Sequence, residues 1–205
     1  MQVNPSLGKS IPDCSPALKP GLTYYQNDFI DDFNDGNLDN WKIYDGSYDA
    51  STKALVAGNS IGGKALINTK NFTDFTFEAD IVIPKVGAGN AGLVFRAANP
   101  GIGADTYNGY YVGFGTDGNM ALGRANNNWK HLGGARVGIA AGKSYHVMVQ
   151  AHDDSLTVYL DDMITPKIAV RDSTYRRGYN GVRVYQTGAI FDNVRIVELR
   201  NNARL

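Results

Sequence analysis

The chain has little of several residues that commonly organise small proteins. It contains one cysteine, Cys14, which excludes an internal disulfide framework and a cysteine-based zinc site. Glutamate occurs only at Glu78 and Glu198, so aspartate supplies all the other acidic residues of a total of 20. Because glutamate favours helices and aspartate favours turns, this bias argues against helical structure.

An excess of charge and long apolar runs are also lacking. The chain has 20 basic and 20 acidic residues, so its formal net charge is zero and gives no support for nucleic acid or an acidic membrane surface as a partner. No apolar run is long enough to span a membrane, and no signal peptide is recognisable at the N-terminus. We therefore expect no nucleic-acid partner and no membrane partner.

The chain is rich in glycine and tyrosine, and it contains many short segments in which apolar and polar residues alternate. It holds 24 glycines and 12 tyrosines, a composition typical of all-β proteins with many turns. The clearest strand covers residues 75–83 (FTFEADIVI), where odd positions are apolar and even positions mostly polar. About a dozen such segments, without a convincing helical period, predict an all-β, two-sheet antiparallel β-sandwich closed by a terminal strand.

Composition divides the chain into three parts. Residues 1–27 hold four of the seven prolines and show no periodicity, which is typical of an extended arm or linker. Residues 28–199 are predicted to form the β-sandwich, and residues 200–205 a C-terminal tail.

The stretch from Ala91 to Trp129 is predicted to carry a binding surface. Its three alternating segments are separated by clusters of Gly, Asn, Asp and Pro, the pattern of consecutive antiparallel strands. Because side chains alternate between the faces of a strand, one face is bulky and apolar, while the other presents Arg96 and Tyr111 above small residues. The small residues are Gly113, Ala121 and Gly123. This face therefore predicts a shallow groove on a sheet.

The same stretch holds the side chains that a sugar site needs. Sugars bind through an aromatic ring that stacks on their C–H face and through planar polar groups that hydrogen-bond their hydroxyls. The candidate ligand-binding residues are Arg96, Asp105, Tyr107, Tyr111, Arg124 and Trp129. For Arg96, a charged residue inside an otherwise apolar strand, a salt bridge across the sheet and a contact with a ligand both remain open.

Aspartates near the two ends of the domain suggest a cation site. Asp31 and Asp32 lie near its start, and Asp192 lies on the last predicted strand. In a closed sandwich the first and last strands often pair, which would bring these hard oxygen ligands together around a structural Ca²⁺. The alternative is that residues 31–39 form a solvated Asx turn.

Two enzyme motifs occur without the context that they require. Residues 87–92 match GxGxxG, but a dinucleotide site needs a helix after the glycine turn, and Pro100 with its neighbouring glycines excludes one. Residues 58–62 match GxSxG, and no helix follows there either. A catalytic pair of carboxylates is neither shown nor excluded. A jelly-roll glycoside hydrolase or polysaccharide lyase therefore stays an alternative function.

Several segments together resemble a known family. They are residues 91–97 (AGLVFRA), 109–115 (GYYVGFG), 129–133 (WKHLG), 144–162 (SYHVMVQAHDDSLTVYLDD) and 188–196 (GAIFDNVRI). Residues 28–199 resemble the concanavalin A-like, laminin-G-like jelly-roll domains appended to secreted carbohydrate-active enzymes. They are most similar to family 66-type carbohydrate-binding modules, which recognise fructan termini.

The resemblance implies a function and several partners. By analogy the chain is a secreted, non-catalytic module that binds a polysaccharide, a fructan or another plant or microbial glycan, through a sheet groove and rim loops. The analogy implies a catalytic domain fused to it in the parent protein, and we expect a monomer. Arg96 matches the family's strand arginine, and Asp192 matches the closing-strand aspartate near a structural calcium.

One departure from related enzymes bears on catalysis. In the E-x-D-x-x-E motif of jelly-roll glucanases, Glu78 and Asp80 match the first two acids, but Ile83 stands at the last position. This argues against hydrolysis by that mechanism. A laminin-G-like protein-interaction domain is the remaining alternative.

Overall fold

The computed structural model describes residues 22–24 and 29–201, which form 16 β-strands. These residues include no helix long and apolar enough to cross a membrane. The rest of the predicted arm, with Cys14, and the last four residues of the predicted tail lie outside the described residues. The strands are β1 Leu22–Tyr24, β2 Phe29–Asp31, β3 Trp41–Asp45, β4 Tyr48–Asp49, β5 Leu55–Ser60, β6 Lys64–Ile67, β7 Phe75–Val82, β8 Asn90–Ala98, β9 Asn108–Phe114, β10 Asn119–Asn126, β11 Trp129–Arg136, β12 Ser144–His152, β13 Ser155–Leu160, β14 Ile168–Arg171, β15 Tyr179–Tyr185 and β16 Thr187–Asn201.

The strands form two antiparallel sheets. The first sheet has the order β14-β13-β12-β7-β16-β5-β4, and β1 and β2 also pair with β16. The second sheet has the order β11-β10-β9-β8-β15-β6-β3. The predicted all-β, two-sheet sandwich is therefore confirmed. The chain crosses between the two sheets several times, and this brings residues that are far apart in the sequence together on one face.

The core lies between the sheets and follows the alternation predicted from the sequence. On β7 the odd positions Phe75, Phe77 and Ile81 are fully buried. They face β8 of the second sheet, where Phe95 packs edge-on against Phe75 at 6.3 Å and stacks on Tyr110 at 5.3 Å. Burial of apolar area on this scale is the main stabilising term of a sandwich.

The closing strand β16 joins both ends of the chain. Leu22–Tyr24, inside the predicted arm, pairs with the end of β16, so that Tyr24 lies opposite Leu199. The first strand after the arm, β2, also pairs with β16, and Asp31 lies opposite Val194. The pairing of first and last strands expected from the sequence is thus observed.

A second, smaller apolar cluster lies on the outer face of the second sheet. It contains Leu66, Val94, Ala97, Tyr107, Tyr111 and Ala125, with Trp129 packed against it. Because apolar residues cover this face, polar side chains next to them are partly removed from water.

Candidate functional site

A cavity of about 360 Å³ opens on the outer face of the second sheet, and we call it the outer cavity. Its floor consists of Gly113 on β9 and Ala121 on β10, which lie opposite each other in register. Its walls are Ala88, Asn90, Ala104, Asp105, Tyr111, Asp117, Asn119, Trp129, Arg183 and Tyr185. The cavity is therefore formed mainly by the stretch that the sequence singled out, together with Ala88, Asn90 and two residues of β15.

Small residues leave room for two aromatic rings to lie against the sheet. A Cβ atom at Gly113 would collide with the hydroxyl end of Tyr111, and one at Gly123 would collide with the ring of Trp129. Of the predicted floor, Gly113 and Ala121 line the cavity, whereas the ring of Trp129 covers Gly123. The observed cavity is therefore smaller than the predicted groove, because the ring of Trp129 occupies one end of it.

Tyr111 and Trp129 form one wall. Their rings meet edge to face, with centroids 6.2 Å apart. Tyr111 is buried, and its hydroxyl donates a hydrogen bond to Oδ1 of Asn90 at 2.7 Å. Trp129 is half-buried, so part of its ring stays available to a ligand. An aromatic ring fixed in this way can stack on the apolar face of a sugar.

Next to Tyr111 the cavity wall holds an ion pair between a buried arginine and a partly exposed aspartate. Arg183 is only 5% exposed, and its Nη1 atom lies 3.3 Å from Oδ1 of Asp105. Its guanidinium carbon lies 4.4 Å from the centroid of the Tyr111 ring. Burial lowers the pKa of Arg183, but Tyr107, Tyr111 and Asp105 outweigh this and raise it overall. Arg183 therefore stays charged.

This pair carries polar atoms that the described residues leave unsatisfied. Nε and Nη1 of Arg183 and Oδ1 of Asp105 are buried and make no hydrogen bond to any described residue. Such atoms usually find a partner, because an unpaired buried polar group costs about 1–3 kcal/mol. Because these three atoms are closed off from the cavity, a ligand there can contact the pair only through the remaining atoms of the Arg183 and Asp105 side chains.

The loop of residues 99–106, which we call the strap, brings Asp105 to this wall. The strap folds back over the sheet and is held by Lys64, a fully buried residue on β6. The Lys64 ammonium donates hydrogen bonds to the carbonyl oxygens of Gly101 at 2.8 Å and Gly103 at 2.5 Å. The amide of Gly103 also donates to Oδ2 of Asp45 at 2.9 Å. Burial, with Arg183 nearby, lowers the pKa of Lys64 to about 8.

Of the predicted ligand residues, the structure brings Asp105, Tyr111 and Trp129 together at the outer cavity. Tyr107 lies close by but is 1% exposed, and its ring lies 5.9 Å from the Lys64 ammonium nitrogen. Burial raises the pKa of Tyr107 to about 12. The contribution of these residues to ligand binding stays a prediction.

The expectation that Arg96 lies on the groove face beside Tyr111 is wrong. A β-bulge interrupts the pairing of β8 with β9 after Phe95, and Arg96 adopts a φ of 49°, which reverses the alternation. Arg96 is fully buried and donates to the carbonyl oxygens of Thr73 and Tyr175 and to Asp74. Of the two interpretations left open, the ion pair is the one observed.

Arg124 does not line the cavity either. It lies opposite Tyr110 on β9, whereas its neighbour Gly123 lies opposite Tyr111. Its Nη1 atom lies 2.9 Å from Oδ2 of Asp172, which also accepts a hydrogen bond from the Tyr110 hydroxyl at 2.7 Å through Oδ1. The residue therefore belongs to the face opposite the cavity.

The calcium expectation finds no matching donor set. Asp31 accepts from the amide of Phe33 and from the indole nitrogen of Trp41 at 2.8 Å, so both of its oxygens are already engaged. Burial raises the pKa of Asp192, and the nearby charges of Asp80, Asp32 and Asp31 add to this effect. Within residues 29–199, no group of three or more His, Cys, Asp or Glu side chains could hold a metal ion. The calcium site stays a prediction.

The carboxylates of β7 lie on the outer face of the first sheet, away from the cavity. Nδ1 of His146 lies 2.7 Å from Oδ1 of Asp80, and Nε2 lies 3.6 Å from Oε2 of Glu78. These two acids raise the pKa of His146 to about 9. The arrangement is a cross-strand ion cluster on a half-exposed surface.

Sequence reasoning missed Arg183 and Tyr185, although a signal was present. In residues 181–185 (GVRVY), alternation places Arg183 and Tyr185 on one face and two valines on the other, as the structure shows. What the sequence did not provide was the position of β15 beside β8, which places both residues at the cavity.

Comparisons with known proteins agree with the fold and with the resemblance. A family model described as the 3-keto-alpha-glucoside-1,2-lyase-like domain matches residues 28–197. A levanase of Bacillus subtilis (strain 168) is 29% identical over 166 residues, which cover 77% of this chain and 23% of the levanase. A levanase of Bacillus sp. (strain L7) is 28% identical over 137 residues, 63% of this chain and 14% of that protein. The chain thus spans less than a quarter of these relatives.

Among solved structures, the carbohydrate-binding module CBM66 from Bacillus subtilis matches with a TM-score of 0.69 and 25% identity, covering 78% of this chain and 96% of the module. The predicted resemblance to family 66-type modules is confirmed. The β-glucanase of Bacillus licheniformis matches with a TM-score of 0.64 but only 12% identity, covering 84% of this chain and 98% of the glucanase. That likeness shows the fold alone.

Proposed function

The chain belongs to the 3-keto-alpha-glucoside-1,2-lyase-like domain family, and we propose that it works as a carbohydrate-binding module whose outer cavity holds the terminal sugar of a polysaccharide. Its similarity to the CBM66 module, which covers almost the whole of that module, supports binding. A protein-interaction role of the laminin-G kind has no comparable support.

The observation that carries the proposal is the Arg183–Asp105 pair at the cavity wall. One hydroxyl of a sugar can accept from the guanidinium, while a neighbouring hydroxyl donates to the carboxylate. Trp129, which packs edge to face against Tyr111, offers part of its ring to the C–H face of the same sugar. Because the pair and the ring are already held in place, little conformational entropy is lost on binding.

The carboxylates of the cavity favour binding over hydrolysis. A glycosidase needs one carboxylic acid whose raised pKa keeps it protonated as a proton donor. The pKa of Asp117 is instead lowered, first by the side-chain hydrogen bond from Asn119 at 2.6 Å. Asp105 is paired with Arg183. Neither acid is arranged as a proton donor, so we propose a non-catalytic role.

The relatives suggest which ligand and setting to test first. Since two relatives are levanases, we propose a fructan such as levan as the ligand. The chain covers a small part of each levanase, so we propose that it is one module of a larger, secreted carbohydrate-active enzyme.

Trp129→Ala, which removes the aromatic ring that a ligand would contact, should lower the affinity for the glycan about tenfold.

Isothermal titration against levan, inulin, xylan and dextran tests the proposal, with a reducing-sugar assay on the same mixtures. We expect binding to a fructan and no release of reducing sugar. Tyr159→Ala, on the outer face of the first sheet, is a matched control that should keep full affinity. Failure to bind any of these glycans, or release of reducing sugar, would contradict the proposed function.

A further inference from the structure

A second cleft, of about 350 Å³, lies at the end of the sandwich beside the outer cavity, and we call it the end cleft. It lies where the chain crosses between the sheets, at residues 84–87 and residues 186–188, with Asn59 of β5 on the third side. Asn59 and Gly87 belong to the two glycine-containing motifs that lack the context of an enzyme site, and the proposed terminal-sugar site uses none of these residues.

The two hollows share one thin wall. Ala88 and Tyr185 line the outer cavity, while the adjoining residues Gly87 and Gln186 line the end cleft. Between them Gly89 is buried, and a Cβ there would collide with the carbonyl of Gln186, so the two segments are in direct contact. The outer cavity and the end cleft are therefore lined by directly adjoining residues at Gly87–Ala88 and at Tyr185–Gln186.

The wall is also held in place. The amide of Gly87 donates to Oγ1 of Thr116 at 2.9 Å, and the same hydroxyl donates to the carbonyl of Gly87 at 3.1 Å. Thr116 belongs to the turn that follows β9, a strand of the cavity floor. The loop between the cavity and the cleft is therefore anchored to the turn that follows β9.

The lining of the end cleft suits neutral sugar units. The carboxamides of Asn59 and Gln186 are exposed and make no hydrogen bond to a described residue, so both can donate and accept. Val86 is 83% exposed and offers an apolar surface. No carboxylate of the described residues lines the cleft, and Lys85 is the one charged residue among them there. Free amides beside an apolar group match the mixed polar and C–H surface of a sugar.

We propose that the end cleft binds the second and later sugar units of the polysaccharide whose terminal unit occupies the outer cavity. This inference rests on the proposed function. The affinity of the protein would then depend on the length of the polysaccharide chain as well as on its terminal sugar.

Titration with fructan oligosaccharides of increasing length tests the inference on the whole chain. The wild-type protein should bind a tetrasaccharide about three- to tenfold more tightly than a disaccharide, because one or two hydrogen bonds are added. The double variant Asn59→Ala/Gln186→Ala should lose this increment and keep its affinity for the disaccharide. Gln150→Ala, which removes a carboxamide from the outer face of the first sheet, is the matched control and should keep the increment.

The outcomes separate the two proposals. If wild-type protein binds all lengths equally well, the end cleft is not a subsite, while the terminal-sugar site stands. An equal loss for short and long ligands in the double variant would also overturn the inference, because the two residues would then act on the outer cavity. If no glycan of any length binds, the proposed function fails first.

Discussion

Replacement of Arg183 by methionine tests the centre of the proposed site. Methionine keeps a long unbranched side chain but removes the guanidinium that lies 4.4 Å from the Tyr111 ring centroid and 3.3 Å from Asp105. The sugar would lose a charged donor, and Asp105 would lose its cation. We therefore expect both the affinity and the stability of the protein to fall.

The expected loss of affinity is set by the hydrogen bond that the variant removes. A hydrogen bond from a charged group contributes about 1.5–3 kcal/mol, so the glycan affinity of Arg183→Met should fall about 10- to 150-fold. The stability loss should be smaller, because the Asp105 side chain is 28% exposed and water can solvate it once unpaired. We expect about 1–2 kcal/mol, which lowers Tm by about 2–8 °C for a domain of this size.

Titration calorimetry with levan oligosaccharides, paired with thermal unfolding, measures both effects. Arg195→Met is the matched control: Arg195 lies on the outer face of the first sheet, where its Nη1 atom is 3.6 Å from Oε1 of Glu78. That variant should lose some stability and no affinity. If Arg183→Met keeps its affinity to within about twofold, the guanidinium does not touch the sugar and the reasoning is refuted.

Three further predictions concern charged side chains elsewhere in the sandwich and in the strap. Arg96→Lys should lose about 3 kcal/mol of stability, seen as a lower Tm, yet keep its affinity below that Tm, because a single ammonium cannot satisfy acceptors that now bond a planar fork. Lys64→Met should speed hydrogen exchange in the strap and weaken glycan binding, since two carbonyl oxygens lose their donor; unchanged exchange would contradict the strap's attachment. The pKa of His146 is raised to about 9, above the ordinary value of 6.5, so its contribution is fully present below pH 6.5 and is lost as pH rises through 9. Thermal unfolding of His146→Gln should thus show a deficit of about 1 kcal/mol, reduced by solvent screening, in acidic buffer and none in strongly alkaline buffer.

The fold could be predicted because it rests on a local property. Alternation along β7 placed Phe75, Phe77 and Ile81 in the core, and each is buried. The face to which a strand residue points is set by neighbouring residues alone, so one sequence suffices to predict it. The two-sheet class followed from the number of such segments.

Arg96 and Arg183 mark the limit of prediction from alternation. Both are charged residues in apolar strands, and alternation assigns both to the outer face. The outer face holds Arg183, whereas the bulge after Phe95 turns Arg96 towards the loops at the end of the sandwich. A bulge at a non-glycine residue with positive φ has no sequence signature, so alternation alone misplaces Arg96. Asp105 was found because it lies in a loop rich in glycine and polar residues, but its partner was not, because β15 joins β8 across about half of the domain's length.

The positive and negative charges beside the outer cavity offset one another, and this explains how a polar cavity can form on a largely buried face. Lys64 and Arg183 lie opposite each other on β6 and β15, so two cations meet on a face that is largely closed to water. Like charges so placed would repel each other. The strap contributes Asp105, and β3 contributes Asp45, and each of these acids acts on the pKa of Lys64 against the effect of Arg183. The strap that brings Asp105 to the cavity wall therefore also offsets the repulsion between the two cations, so the attachment of the strap and the charge balance of this face depend on each other.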